Sequence, residues 1–136
     1  MRRIWLALGL ALLAAASGLA APPRELVVFH LNDAHGYIFS RQDRGEEIGG
    51  FGMLAGALAQ ARAAAKARGA ATLFLFGGDM FQGTTVVEAT RGACMVDMFN
   101  RLKLDAACLG NHEFDYGPAV LAQRVGEARY PLLATN

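Results

Sequence analysis

Asn111, His112, Glu113 and Asp115 place an amide, an imidazole and two carboxylates within five consecutive positions, directly after the apolar run Ala106-Ala107-Cys108-Leu109. Polar groups that dense at the end of a buried strand are costly unless they bind something. Two earlier segments repeat the arrangement. Asp33 and His35 follow Leu26-Val27-Val28-Phe29, and Asp79 follows Thr72-Leu73-Phe74-Leu75-Phe76 and the pair Gly77-Gly78. Carboxylate, imidazole and amide oxygen form a borderline-hard donor set that suits Mn²⁺, Zn²⁺, Fe or Co. A carboxylate has two oxygens, so Asp79 can bridge two ions, and two ions about 3.5–4 Å apart clamp a phosphate and activate water. Asp33 and His35 can grip one ion from a single turn, and Asn111 can offer its amide oxygen to the other. His112 is then expected to face the departing oxygen, with Asp115 holding its imidazole as the cation for general-acid catalysis.

These residues need a scaffold that brings three strand ends together. The sequence reads as alternating strands and helices. Strand one spans about 26–31, followed by a Gly-rich charged loop over 36–50. Helix one covers about 51–68, where Phe51, Leu54, Leu58, Ala61 and Ala65 recur at helical spacing opposite Gln60, Arg62 and Lys66. Gly69 is placed to cap it. Strand two, 72–76, is an unbroken apolar run and reads as buried on both faces. A loop around Gly83-Thr84-Thr85 leads to helix two, about 92–102, with Met95, Met98, Phe99 and Leu102 as its inner stripe. Strand three is about 106–109, a short helix covers 118–128 behind Pro118, and Tyr130 to Asn136 forms a fourth strand. Such units cross over right-handedly and lie parallel. Asp33, His35, Asp79, Asn111 and His112 therefore fall on one sheet edge, where open α/β sheets build their sites.

The chain has 136 residues, 13 Lys and Arg, and 12 Asp and Glu. Arg2 and Arg3, the apolar run Ile4–Ala16, and the small residues Gly18 and Ala20 form a secretory signal pattern, with cleavage expected before Ala21. The apolar core is shorter than the ~20 residues that span a bilayer, so no stable anchor is expected after cleavage. Loss of Arg2 and Arg3 leaves 11 basic against 12 acidic residues. That balance gives no basic patch for a nucleic-acid polymer. The remaining segment, 21–136, suffices for one modest core. Cys94 and Cys108 are read equally as two buried thiols or as one disulfide of an exported protein.

Three motifs in order carry a resemblance that covers the chain from Leu26 to the end. They are Asn32-Asp33-Ala34-His35-Gly36; Gly78-Asp79 with Phe81-Gln82-Gly83-Thr84; and Gly110-Asn111-His112-Glu113-Phe114-Asp115-Tyr116-Gly117. The chain resembles the N-terminal part of a secreted bacterial 5'-nucleotidase of the calcineurin-like metallophosphoesterases. The resemblance implies an α/β fold in which parallel β-α-β units form part of a layered sandwich. It implies two divalent ions (Zn, Mn, Co or Fe) held by Asp33, His35, Asp79 and Asn111, with Asp79 bridging. His112 and Asp115 become the catalytic pair, and Asn111 and His112 also meet the substrate. The substrate it implies is a nucleotide or other phosphoester outside the cytoplasm, periplasmic or extracellular.

The resemblance also implies further metal-binding histidines and a nucleoside-gripping domain, and no His follows His112 here. The 136-residue chain is therefore expected to be a portion with little activity alone, the alternative being a non-catalytic exported α/β piece that binds metal weakly. His30 matches a family position but is read as a packed or supporting histidine. Glu113 is expected to satisfy backbone donors, Gly77-Gly78 to pack tightly and bring Asp79 to the site, and 41–47 to be a solvated face.

Overall fold

The computed structural model describes residues 25–134. The signal pattern at 1–20 and the last two residues of the fourth-strand segment lie outside the described residues. The elements are β1 (Leu26–Leu31), β2 (Arg41–Asp43), β3 (Glu46–Ile48), α1 (Gly50–Ala67), β4 (Ala71–Phe76), α2 (Thr85–Thr90), α3 (Ala93–Arg101), β5 (Ala106–Cys108), a 3-10 turn (His112–Phe114), α4 (Pro118–Glu127) and β6 (Leu132–Leu133). β1, β4, β5 and β6 form one parallel sheet in that order. β1 and β4 pair over their full length, from Leu26 opposite Ala71 to Leu31 opposite Phe76.

The register sorts the side chains into two faces. Phe29, Leu31, Phe74, Phe76, Ala107 and Leu132 share one face and pack in the core with Phe51 and Leu58 of α1 and Met95, Val96 and Phe99 of α3. Phe99 is the hub: its ring centroid lies 4.7 Å from Phe76, 5.1 Å from Phe51 and 6.4 Å from Phe74. Full burial of each such ring stabilises the fold by roughly 1.5–3 kcal/mol. The opposite face is open among the described residues. Leu26 and Val28 are 59% and 50% exposed, and His30, Cys108 and Leu133 are exposed beside them. This corrects three expectations. β4 is covered on one face, with Leu73 and Leu75 half-buried on the other. His30 is exposed rather than packed, because it alternates onto the open face of an edge strand. The cysteines are free, and Cys108 is exposed on that same face.

α1 begins without a side-chain cap; Phe51 N–H instead donates to Ile38 O at 2.8 Å. Its end matches the sequence reading. Gly69 takes φ +71°, Gly69 N–H donates to Lys66 O, and Ala70 N–H donates to Ala65 O, the paired bonds of a Schellman stop. Arg62, expected among the solvent-facing residues, turns inward. Its guanidinium donates to Leu102 O and Lys103 O at 2.7 and 2.9 Å and lies over the Phe74 ring. It thus satisfies free carbonyls at the end of α3.

Two elements arise where loops were expected. Residues 41–48 form a hairpin with a two-residue turn, Arg44-Gly45, both at positive φ. Arg44 hides the signal, since such turns favour Asn, Asp or Gly there. The hairpin strands remain almost wholly exposed, as a solvated face should. Thr85–Thr90 form α2, which buries Val87 and ends where Arg91 and Gly92 turn left-handed before α3.

Candidate metal centre

The three segments that carry the candidate ligands leave the C-terminal ends of neighbouring strands, β1, β4 and β5. The first two remain tied beyond the sheet: Asp33 N–H donates to Gly78 O at 3.0 Å, and His35 N–H donates to Asp79 O at 3.2 Å. Asp33, His35 and Asp79 all adopt positive φ, at 54°, 41° and 61°. Non-glycine residues rarely hold that conformation unless surrounding contacts over-determine it.

The β4 and β5 segments approach until only glycine fits. A Cβ on Gly110 would lie 2.1 Å from Asp79 Oδ1, and one on Gly78 would lie 2.8 Å from Gly110 N. The Gly77-Gly78 pair thus serves the tight packing expected of it. Across this contact His112 N–H donates to Asp79 Oδ1 at 3.0 Å. Glu113 is 1% exposed, and its carboxylate accepts from Asp79, Met80, Phe81 and Gly110 N–H. The expectation that Glu113 satisfies backbone donors is met, across two segments rather than within its own loop.

His35, Asp79 and His112 each bring a donor atom to one place, all within 4.8 Å of one another. The His35 and His112 rings meet edge-on with centroids 5.1 Å apart. Asp33 Oδ1 stands 3.7 Å from His35 Nε2, on the rim of this group, and Asn32 donates to the same carboxylate. Asn111 is exposed at the start of the 3-10 turn. His112 Nδ1 and Asp115 Oδ2 are 2.7 Å apart. The hydrogen bond to Asp115 raises the His112 pKa above its usual 6.5, with the Asp115, Asp79 and Glu113 charges adding to the rise and burial opposing it.

The sequence-picked residues are thus gathered on one rim, but His112 joins His35 and Asp79 more closely than a role confined to the departing oxygen required. That grouping depends on the ring's direction from the 3-10 turn, which residue spacing does not encode. The donor set suits a divalent ion on two counts. Imidazole and carboxylate are ligands of that class, and His35 Nδ1 is buried with no hydrogen-bond partner among the described residues. A cavity of about 480 Å³ lies behind Asp33, walled chiefly by Leu31, Tyr37, Phe51, Met53 and Leu54, and does not include His35, Asp79 or His112. Its apolar walls contribute nothing to the donor set.

Fold and rim together define an α/β domain that carries a candidate divalent-metal site at its strand ends. The chain belongs to the calcineurin-like phosphoesterase family, whose model matches residues 26–132. Members of that family bind divalent metals. The chain is 35% identical over 126 residues to a snake venom 5'-nucleotidase from Crotalus adamanteus, an alignment covering 90% of this chain and 21% of that protein. Among solved structures it is similar to a 5'-nucleotidase precursor from Thermus thermophilus (TM-score 0.72, 34% identity), covering 82% of this chain and 22% of that one. It is also similar to a NAD nucleotidase from Haemophilus influenzae (TM-score 0.72, 28% identity), with 82% and 20% covered. The chain therefore spans about a fifth of the length of these relatives.

Proposed function

We propose that this chain is the metal-gathering first portion of a phosphoester hydrolase that acts on nucleotides outside the cytoplasm, with residues 1–20 as its export signal and 21–136 as part of the metallophosphoesterase domain. The observation that carries the reading is the convergence of His35, Asp79 and His112 within 4.8 Å, beside a His112–Asp115 pair at 2.7 Å. Asp33, His35 and Asp79 would hold one divalent ion, and Asp79 and Asn111 a second. Bound there, the ions supply Lewis-acid polarisation of the phosphoryl group and an activated water. The chain's own groups do the rest. Asp115 fixes the His112 ring and favours its protonated form, and the imidazolium donates to the oxygen that leaves.

The relatives' names, 5'-nucleotidase and NAD nucleotidase, support a nucleotide substrate; within that class the reading extends to nucleoside monophosphates, cyclic 2',3'-nucleotides and nucleotide sugars. A catalytic zinc ion usually has three protein ligands. Asp79 and Asn111 give the second ion two, so the 136-residue chain alone is expected to turn over slowly. The test is phosphate release from AMP and from a cyclic nucleotide, with Mn²⁺, by the natural polypeptide that carries this chain and by the 136-residue chain. Hydrolysis by the first and little by the second is expected. No hydrolysis by either, with weak Mn²⁺ binding, would establish the non-catalytic alternative. Mass measurement of the exported protein checks removal of residues 1–20.

A further inference from the structure

We propose that Glu113 is a positioning residue whose buried carboxylate clamps the β4 and β5 ligand segments together and so sets the affinity of the metal centre. The inference deepens the metal-site reading above and rests on it.

Glu113 is almost completely buried, yet it forms no ion pair among the described residues. Its charge is met by main-chain N–H groups. Oε1 accepts from Met80 at 2.7 Å and Phe81 at 3.3 Å; Oε2 accepts from Asp79 at 2.9 Å and Gly110 at 2.6 Å. Three successive N–H groups turned on one point make an anion-binding nest. Here the anion is a side chain of the protein, and it arrives from the other ligand segment. Glu113 lies on the β5 segment, so its bonds from Asp79, Met80 and Phe81 all cross to β4, and Oε2 also accepts from Gly110 of its own segment.

The consequence for Asp79 is specific. Its backbone is held at φ +61°, a conformation that costs free energy in a residue with a Cβ. The N–H of that strained residue is the one Glu113 holds. Asp79 Oδ1 accepts in turn from His112 N–H, next along the chain from Glu113. The clamp thus fixes both where the Asp79 carboxylate stands and how far it lies from His112. Groups that orient metal ligands typically matter by about 10–100-fold in affinity. The two other loop ties, Asp33 N–H to Gly78 O and His35 N–H to Asp79 O, concern β1 and leave the β4–β5 spacing beyond the strands to Glu113, the His112 N–H bond to Asp79 and the two glycines.

Glu113→Gln tests this, because the amide keeps the shape but replaces one acceptor by a donor facing N–H groups. In the natural polypeptide, Mn²⁺ titration by calorimetry should show the dissociation constant rising about 10–100-fold, while circular dichroism keeps the wild-type helix signal. Unchanged Mn²⁺ affinity in a folded Glu113→Gln protein overturns the proposal. If that variant does not fold, amide hydrogen exchange of the metal-free wild type decides. Asp79, Met80, Phe81 and Gly110 amides should exchange as slowly as those of β4; exchange at the rate of the exposed hairpin 41–48 overturns the clamp. Should the wild type bind no Mn²⁺, the metal-site reading fails, and the exchange rates still decide separately whether Glu113 holds the two segments.

Discussion

The rim has two unlike halves. The β4–β5 half, carrying Asp79, Asn111 and His112, is cross-tied by the four N–H bonds of Glu113, by His112 N–H on Asp79, and by two glycine contacts that admit no Cβ. The β1 half, carrying Asp33 and His35, is held by two main-chain bonds to the β4 segment, by Thr84 Oγ1–H on Gly36 O and by the close approach of Gly83 to His35, and it leaves the Asp33 carboxylate about half exposed. Pre-formed ligands bind an ion without an ordering cost, whereas mobile ones must be ordered as it binds. The β4–β5 half should therefore set most of the affinity, with β1 adding ligands to a site that already exists.

The largest expected effect tests this ranking. Asp79→Ala removes the carboxylate at the centre of the rigid half and should abolish Mn²⁺ binding and hydrolysis in the natural polypeptide. Asp33→Ala removes one ligand from the more exposed half and should weaken binding without abolishing it. Equal losses in calorimetric titrations would remove the distinction between the halves. Next in size is His112→Ala. A general acid contributes about 10²–10⁴-fold, so kcat should fall by that factor with KM little changed. Unaltered kcat would leave His112 as a ligand or a structural group without the proton-donating role.

Gly110→Ala probes the close approach itself. The new methyl would overlap Asp79 Oδ1 and come within 2.7 Å of Asp79 N, both held in place. Overpacking of that kind costs about 1–3 kcal/mol, visible as a lower thermal midpoint. Gly117→Ala is the comparison: nothing lies within 4 Å of its Cβ position, so its cost comes from the backbone at φ +82° and ψ 163° alone, about 1–3 kcal/mol. Both substitutions should lower the thermal midpoint, and Gly110→Ala alone should also weaken metal binding.

The rigid half was also the more legible in the sequence. Gly78-Asp79 and Gly110 to Gly117 sit where short apolar runs stop, and the rule that parallel strands share an edge placed them together. The parallel run of β1 and β4 followed from the strand–helix–strand pattern, and the stop of α1 from Gly69. What stayed hidden depended on side-chain direction or on weak local signals. The open sheet face depends on which side of the sheet the described helices cover, and alternation along β1 puts Val28 and His30 on the uncovered side. The inward turn of Arg62 needs the α3 carbonyls that receive it. The hairpin at 41–48 turns on an Arg in a left-handed position that residue preferences disfavour. Glu113 was legible as a satisfier of backbone donors, but its reach to Asp79 needed the fold.

The smallest effect expected is a titration, and it lies at the outer edge of the rigid half. The Asp115 hydrogen bond is the main reason that the His112 pKa stands above 6.5. Asp115→Asn should therefore lower it toward that value, read from the His112 ring proton shifts by NMR in a chelator. Because the folded pKa is raised, the pair's contribution to stability is fully present below pH 6.5 and fades as pH rises through the folded value. Both groups are partly exposed, so solvent screens the pair and the change in thermal midpoint between wild type and Asp115→Asn should be small at pH 6 and vanish at pH 9. A His112 pKa unmoved by Asp115→Asn would transfer the cause to Asp79 and Glu113. The imidazolium would then be sustained by the rigid interior of the site rather than by the residue three positions along the turn.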